Sequence, residues 1–131
     1  MEVSAMEKKF YRCKACGNIL GVINDSGVVP VCCGARMEIL TANTTEAATE
    51  KHIPVITRDG NKVAVKVGDV AHPMTEDHSI QWVILNQGSV TERVTLNPDT
   101  APEAAFMVLD AGAPVRVYAY CNLHGLWSAA G

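Results

Sequence analysis

The chain has 131 residues, a net charge of −3 and an isoelectric point near 5.7. It therefore lacks the basic surplus that draws a protein to a nucleic-acid backbone or an anionic membrane. No apolar run is long enough for a membrane span, and residues 1–10 hold no hydrophobic stretch of the signal-peptide kind, so a soluble, cytoplasmic protein is expected. In a reducing compartment five cysteines, an odd number, point to metal ligation rather than disulfides.

Residues 1–5 precede a second candidate start at Met6 and are read as a disordered extension. Lys9 to Arg12 predicts a short strand entering the knuckle Cys13-Lys14-Ala15-Cys16, and Asn18 to Ile23 a second strand leaving it. Asp25-Ser26-Gly27 is turn chemistry that returns the chain toward Cys32 and Cys33. Met37 to Leu40 is a third strand candidate. These first forty or so residues carry few large apolar side chains, so a metal staple is needed to hold them. The predicted boundaries are 1–42 for this first domain, 43–50 for a polar linker, and 51–131 for a second domain rich in Val, Ile and Ala.

In the second domain the alternate valines of Val63 to Val67 predict one apolar face, and Ile80, Trp82 and Ile84 another. Asn86-Gln87-Gly88-Ser89 reads as a reversal and Ser89 to Leu96 as a strand ended by Asn97-Pro98-Asp99. Ala104 to Leu109 is apolar. Along Val115 to Cys121, alternation puts Val115, Val117, Ala119 and Cys121 on one face and Arg116, Tyr118 and Tyr120 on the other. Strands at this spacing, with no long amphipathic helix, predict a β-sandwich.

The five cysteines and four histidines divide into two ligand sets. Cys13, Cys16, Cys32 and Cys33 form a four-thiolate set. The vicinal pair needs a bent backbone, since neighbouring residues in a strand point to opposite sides, and Gly34 is placed to relax that bend. By spacing alone this set fits zinc and iron equally well. His52, His72, His78, Cys121 and His124 form the second set. Any one of these histidines alone reads as an ordinary surface or core residue; their grouping around turns and a strand end reverses that reading. Four neutral imidazoles leave Cys121 as the one anionic donor. Five donors exceed what zinc usually takes from protein, so ferrous iron with a sixth position for a small ligand is the expected occupant.

The strings Glu50-Lys51-His52, His72-Pro73-Met74 and Cys121-Asn122-Leu123-His124-Gly125-Leu126-Trp127, together with the vicinal cysteines, resemble the desulfoferrodoxins, the two-iron class of superoxide reductase. The resemblance implies a mainly β fold: a small rubredoxin-like, desulforedoxin-like metal-stapled N-terminal domain, then an immunoglobulin-like antiparallel β-sandwich. It implies an Fe(Cys)4 centre on the first set and an Fe(His)4(Cys) centre on the second, with equatorial histidines and an axial Cys121. It further implies one-electron reduction of superoxide to hydrogen peroxide, electrons from a rubredoxin-type donor, and a homodimer. Lys51 is the candidate for attracting the superoxide anion, and Glu50 for occupying its position after product leaves. Two other classes fit parts of the sequence: an electron-transfer or metal-storage protein with a non-catalytic second iron, and a zinc-ribbon adaptor joined to an immunoglobulin-like interaction domain.

Overall fold

The computed structural model describes residues 8–44, 52–68 and 72–131. The expected extension at 1–5, most of the linker at 45–50, and both Glu50 and Lys51 lie outside the described residues. The chain forms two compact units, Met1–Thr41 and Ala42–Gly131.

In the first unit, strands β1 (Phe10–Arg12), β2 (Ile19–Gly21) and β5 (Glu38–Leu40) make an antiparallel sheet in the order β2-β1-β5. Between β2 and β5 lies a small hairpin of β3 (Val31–Cys32) and β4 (Ala35–Arg36), in which Val31 pairs with Arg36 and Cys32 with Ala35. Its two-residue turn is Cys33-Gly34, with φ of 53° and 77°. Positive φ at both central positions is what a type I′ hairpin turn demands. The bend expected at Gly34 is thus shared with Cys33, and a non-glycine residue there costs about 1–2 kcal/mol. The buried apolar cluster of this unit is Tyr11, Cys13 and Met37, with Val22, Val29 and Cys32 packed against it. Full burial of a large side chain contributes about 1.5–3 kcal/mol, so Phe10, Tyr11 and Met37 together cannot hold some thirty ordered residues. Ligation has to supply the remainder.

The second unit is a sandwich of two antiparallel sheets. One runs β10-β7-β6, with β6 Pro54–Asp59, β7 Lys62–Val67 and β10 Glu103–Met107. The other runs β12-β11-β8-β9, with β8 Ile80–Gln87, β9 Val90–Thr95, β11 Arg116–Cys121 and β12 Gly125–Ala130. The core between them draws on Val63, Val65 and Val67 of β7, Ala104 and Phe106 of β10, Val83 and Leu85 of β8, and Val117, Ala119 and Cys121 of β11. Both the β7 and β11 faces match the alternation in the sequence.

Three local expectations are corrected. Trp82 and Ile84 do not share a face with Ile80; Ile80 lies in the core with Val83 and Leu85. The cause is a register shift where β11 meets β8: Tyr120 pairs with Trp82 but Cys121 with Ile80, leaving Gln81 as an extra residue. One inserted residue reverses the faces on either side of it. Asn86 and Gln87, expected in the reversal, belong to β8, and the turn is Gly88-Ser89. Both amides are bonded: Asn86 Oδ1 accepts from Thr91 Oγ1 at 3.0 Å, and Gln87 Nε2 donates to the Asp110 carbonyl at 2.8 Å. Finally Asn43, at the start of the expected linker, is fastened to β12. Its N–H donates to the Leu126 carbonyl at 3.0 Å, its Oδ1 accepts from Ser128 N at 2.9 Å, and its Nδ2 donates to the Ser128 carbonyl at 3.2 Å.

Candidate metal centres

The first ligand set is built on two turns. Cys13 follows β1, and its turn is closed by Gly17 N–H donating to the Cys13 carbonyl and Cys13 N–H to the Asn18 carbonyl, both at 2.9 Å. Cys32 ends β3 and Cys33 occupies the hairpin turn. The Cys16 and Cys32 sulfurs are 3.6 Å apart and those of Cys32 and Cys33 4.0 Å. A disulfide would need about 2.05 Å. Metal–sulfur bonds of about 2.3 Å at the tetrahedral angle put sulfurs about 3.8 Å apart, so this separation is that of four thiolates on one ion. Cys16 N–H points at Cys13 Sγ at 3.5 Å and Asn18 Nδ2 at Cys32 Sγ at 3.9 Å. The backbone N–H of Cys16 is the main cause that brings the Cys13 thiol down to about 6, while hydrogen bonds to Cys16 and Cys13 push Cys33 up to about 12. Four crowded sulfurs cannot all ionise unaided; a cation among them removes that conflict.

The second set gathers at one end of the sandwich. His52 precedes β6, His72 and His78 flank a loop before β8, Cys121 ends β11, and His124 is the last residue of the three-residue loop from β11 to β12. Gly125, which closes that loop opposite Cys121, has a φ of 80°, so a side chain there would be strained. All five donor atoms lie within 4.8 Å of one another. The imidazoles form a closed ring, His52 to His72 to His78 to His124 and back, with neighbouring centroids at 4.6, 4.7, 5.0 and 4.9 Å and planes 74° to 85° apart. His52 Nε2 is 3.1 Å from His72 Nε2 and 3.2 Å from His124 Nδ1. Two nitrogens at right angles, each about 2.1 Å from a divalent ion, would be about 3.0 Å apart, so these are the separations of neighbouring ligands on a square.

Protonation suits the same role. His72 Nδ1 lies 2.7 Å from the Pro73 carbonyl, which fixes its proton there and leaves Nε2 as a lone pair. Burial lowers the His72 pKa to about 4, and the neighbouring histidines add to that, so the ring is neutral near pH 7. Cys121 is fully buried, 3.8 Å from His124 Nδ1, and burial raises its thiol pKa against the backbone N–H groups of Leu123 and His124, which lower it. A metal supplies the charge that such a thiol needs to ionise. Around the ligands, Trp127 stacks on His52 at 4.8 Å and 23°, and its Nε1–H donates to the His124 carbonyl at 3.1 Å. The loop between the histidines is closed by Thr75, whose N–H donates to the His78 carbonyl at 2.9 Å and whose Oγ1 accepts from His78 N at 3.2 Å.

All nine predicted ligands are thus brought together in two clusters. Residues not singled out in the sequence, Trp127, Asn122 and Thr75, hold the second cluster; two of them stood inside the quoted string from Cys121 to Trp127, where only the donors were read. Residues 44–130 match the family model described as Desulfoferrodoxin, and residues 5–40 the one described as Desulfoferrodoxin, N-terminal domain. The chain belongs to the desulfoferrodoxin family. It is 46% identical over 127 residues to a desulfoferrodoxin from Syntrophotalea carbinolica, covering 97% of this chain and 99% of that one. Among solved structures it is similar to the superoxide reductase from Treponema pallidum, at 39% identity and a TM-score of 0.77, over 94% of this chain and 98% of that one. It is also similar to the superoxide reductase (1Fe-SOR) from Giardia intestinalis, at 35% identity and a TM-score of 0.57, over 63% of this chain and 97% of that one. With that membership, the two donor sets are those of two non-haem irons: Cys13, Cys16, Cys32 and Cys33 for an Fe(Cys)4 centre, and His52, His72, His78, His124 and Cys121 for an Fe(His)4(Cys) centre.

Proposed function

We propose that this chain is a superoxide reductase that converts superoxide to hydrogen peroxide at its second centre, consuming one electron and two protons. The observation that carries the reading is the closed ring of four imidazoles beside a buried thiolate, in a chain similar to proteins named as superoxide reductases. Iron held by His52, His72, His78, His124 and Cys121 would supply the electron and bind a small anion.

The chain's own groups account for the remainder. His52, His72, His78 and His124 bring no charge, so the Cys121 thiolate would be the one anionic donor and would leave a divalent ion with net positive charge to attract superoxide. The N–H groups of Leu123 and His124 toward Cys121 hold its sulfur in place and temper its electron donation. Lys51, adjacent to His52 in the chain, is assigned the attraction of the anion and the ordering of a proton-donating water; its role rests on that adjacency. Glu50 is the carboxylate assigned to the substrate's position once product has left. A rubredoxin-type protein is the proposed donor, a homodimer the proposed assembly and the cytoplasm the proposed location. No helix among the described residues is long and apolar enough to cross a membrane.

The stoichiometry of a superoxide pulse tests the reading. Prereduced protein should yield one hydrogen peroxide per superoxide and no dioxygen, whereas dismutation would yield half as much peroxide with dioxygen, and a storage protein would consume none catalytically. Lys51→Ala should slow the second-order step by roughly tenfold at low salt and flatten its dependence on ionic strength. An unchanged rate and salt slope would remove Lys51 from the mechanism.

A further inference from the structure

Asn122, the residue after Cys121, is bonded to the other ligand loop. Asn122 Nδ2 donates to the Asp77 carbonyl at 2.9 Å, its Oδ1 accepts from Ser79 N–H at 3.0 Å, and its own N–H approaches the Ser79 carbonyl at 3.3 Å. Asp77 and Ser79 are the two neighbours of His78. One side chain therefore grips the chain on both sides of a histidine donor from the turn that carries Cys121 and His124. The other bonds of the His72–His78 loop act differently. Thr75 closes the loop on itself, while Met74 receives the Asp99 N–H on its carbonyl at 2.8 Å and the Ile80 N–H near its sulfur at 3.3 Å. Those bonds shape the loop and seat it on the sandwich without tying it to the turn after β11.

We infer that Asn122 is a positioning residue that keeps His78 in the donor set and thereby sets the preference of the second centre for a five-donor ion over zinc. Without His78, the set would be His52, His72, His124 and Cys121, three imidazoles and a thiolate. Four donors of nitrogen and sulfur are what zinc takes in a closed tetrahedral site, whereas iron in nitrogen-rich sites uses higher coordination. The amide answers both backbone groups at once, since it offers a donor to Asp77 and an acceptor to Ser79. A carboxylate at position 122 keeps the bond from Ser79 and loses the one to Asp77; a methyl group loses both. Partners that orient a metal ligand from behind typically change metal affinity by 10–100-fold when removed.

The inference rests on the reading of this centre as a five-donor iron site. The test is an anaerobic competition of ferrous iron against zinc on the full-length chain and on the Asn122→Ala and Asn122→Asp variants, with His78→Ala as the benchmark. The iron-to-zinc ratio of the second centre is read by metal analysis and its visible band, and the absorption of the first centre serves as internal control. Asn122→Ala should shift the ratio toward zinc by roughly 10–100-fold, close to His78→Ala, with Asn122→Asp between it and the parent and the first centre unchanged. A metal-free readout accompanies it: amide exchange at Ser79 should accelerate in Asn122→Ala while the β7 and β8 core amides stay protected. A parental metal ratio in Asn122→Ala overturns the proposal. Loss of β7 and β8 protection in both variants also overturns it, because Asn122 would then serve folding at large. Superoxide reduction by the parent, measured on the same preparations, separates the two readings, since an inactive parent with the predicted metal shifts would sink the activity and leave Asn122 in its role.

Discussion

In the first unit one ligand, Cys13, belongs to a buried cluster of three residues; in the second one ligand, Cys121, belongs to a far larger core that forms without the other four. Tyr11, Cys13 and Met37 are the buried cluster of the four-cysteine unit, and Cys16 and Cys33 are exposed. Among its described residues, the histidine-bearing unit packs thirteen buried ones between its sheets, of which Cys121 alone is a ligand, and also buries His52 and His72. A sandwich that folds by its own packing can hold imidazoles in a fixed square and leave part of the metal's coordination to substrate. A thirty-residue module cannot; its metal must be fully enclosed by protein donors because it also supplies the stability.

Metal removal is the strongest way to break this contrast. Chelation, or Cys13→Ser, should cost the first unit on the order of 10 kcal/mol, so that amides of residues 8–41 exchange as in an unfolded chain while β7, β8 and β11 stay protected. Retained protection of β1 and β5 without metal would abolish the distinction. The converse lesion is Leu85→Ala, at a fully buried position of the sandwich. It should destabilise the second unit by about 2–5 kcal/mol in a denaturant titration and leave the absorption of the first centre unchanged. A smaller effect is expected of Trp127→Phe, which keeps the stacking surface beneath His52 but removes the Nε1–H bond to the His124 carbonyl, a loss of about 1 kcal/mol with a shift in the visible band of the second centre alone.

Acid sharpens the comparison in the metal-free chain. Burial depresses the folded pKa of His72 from 6.5 to about 4, so between those values the unfolded chain binds the proton and the folded one resists it. Stability from this group is complete above pH 6.5 and is lost as pH falls toward 4. The melting temperature of the metal-free second unit should decline over that window, and His72→Gln should flatten the decline. Asp25→Asn should have the least effect: it breaks the 2.7 Å pair with Lys9, but both partners are exposed, and the midpoint of the first unit should stay within error.

The donor residues were legible because cysteines and histidines are few and each lies at a turn or strand end. The faces of β7 and β11 were legible because Val63, Val65 and Val67, and Val117, Ala119 and Cys121, alternate without interruption. The face of β8 was not, since the extra residue at Gln81 is a property of pairing with β11, and Ile80, Trp82 and Ile84 look equally regular in isolation. That shift lies at Cys121 itself, so the irregular pairing and the ligand are one feature. The Cys33-Gly34 turn escaped for a similar reason: the vicinal pair signalled a bend, but the hairpin that imposes left-handed backbone on a cysteine appears only once Val31 meets Arg36. Strand β12 was hidden because Leu126, Trp127 and Ser128 are buried in succession rather than alternately.

The central claim, that the histidine-bound centre meets superoxide while the cysteine-bound centre does not, is tested most directly by generating a superoxide burst against the fully prereduced chain and following both visible bands in time. The account predicts that the band of the second centre appears first, at a rate proportional to protein concentration and slowed by salt, with the same rate in Cys13→Ser. A first oxidation at the cysteine-bound centre, or loss of the fast phase in Cys13→Ser while the second iron remains bound, would contradict it.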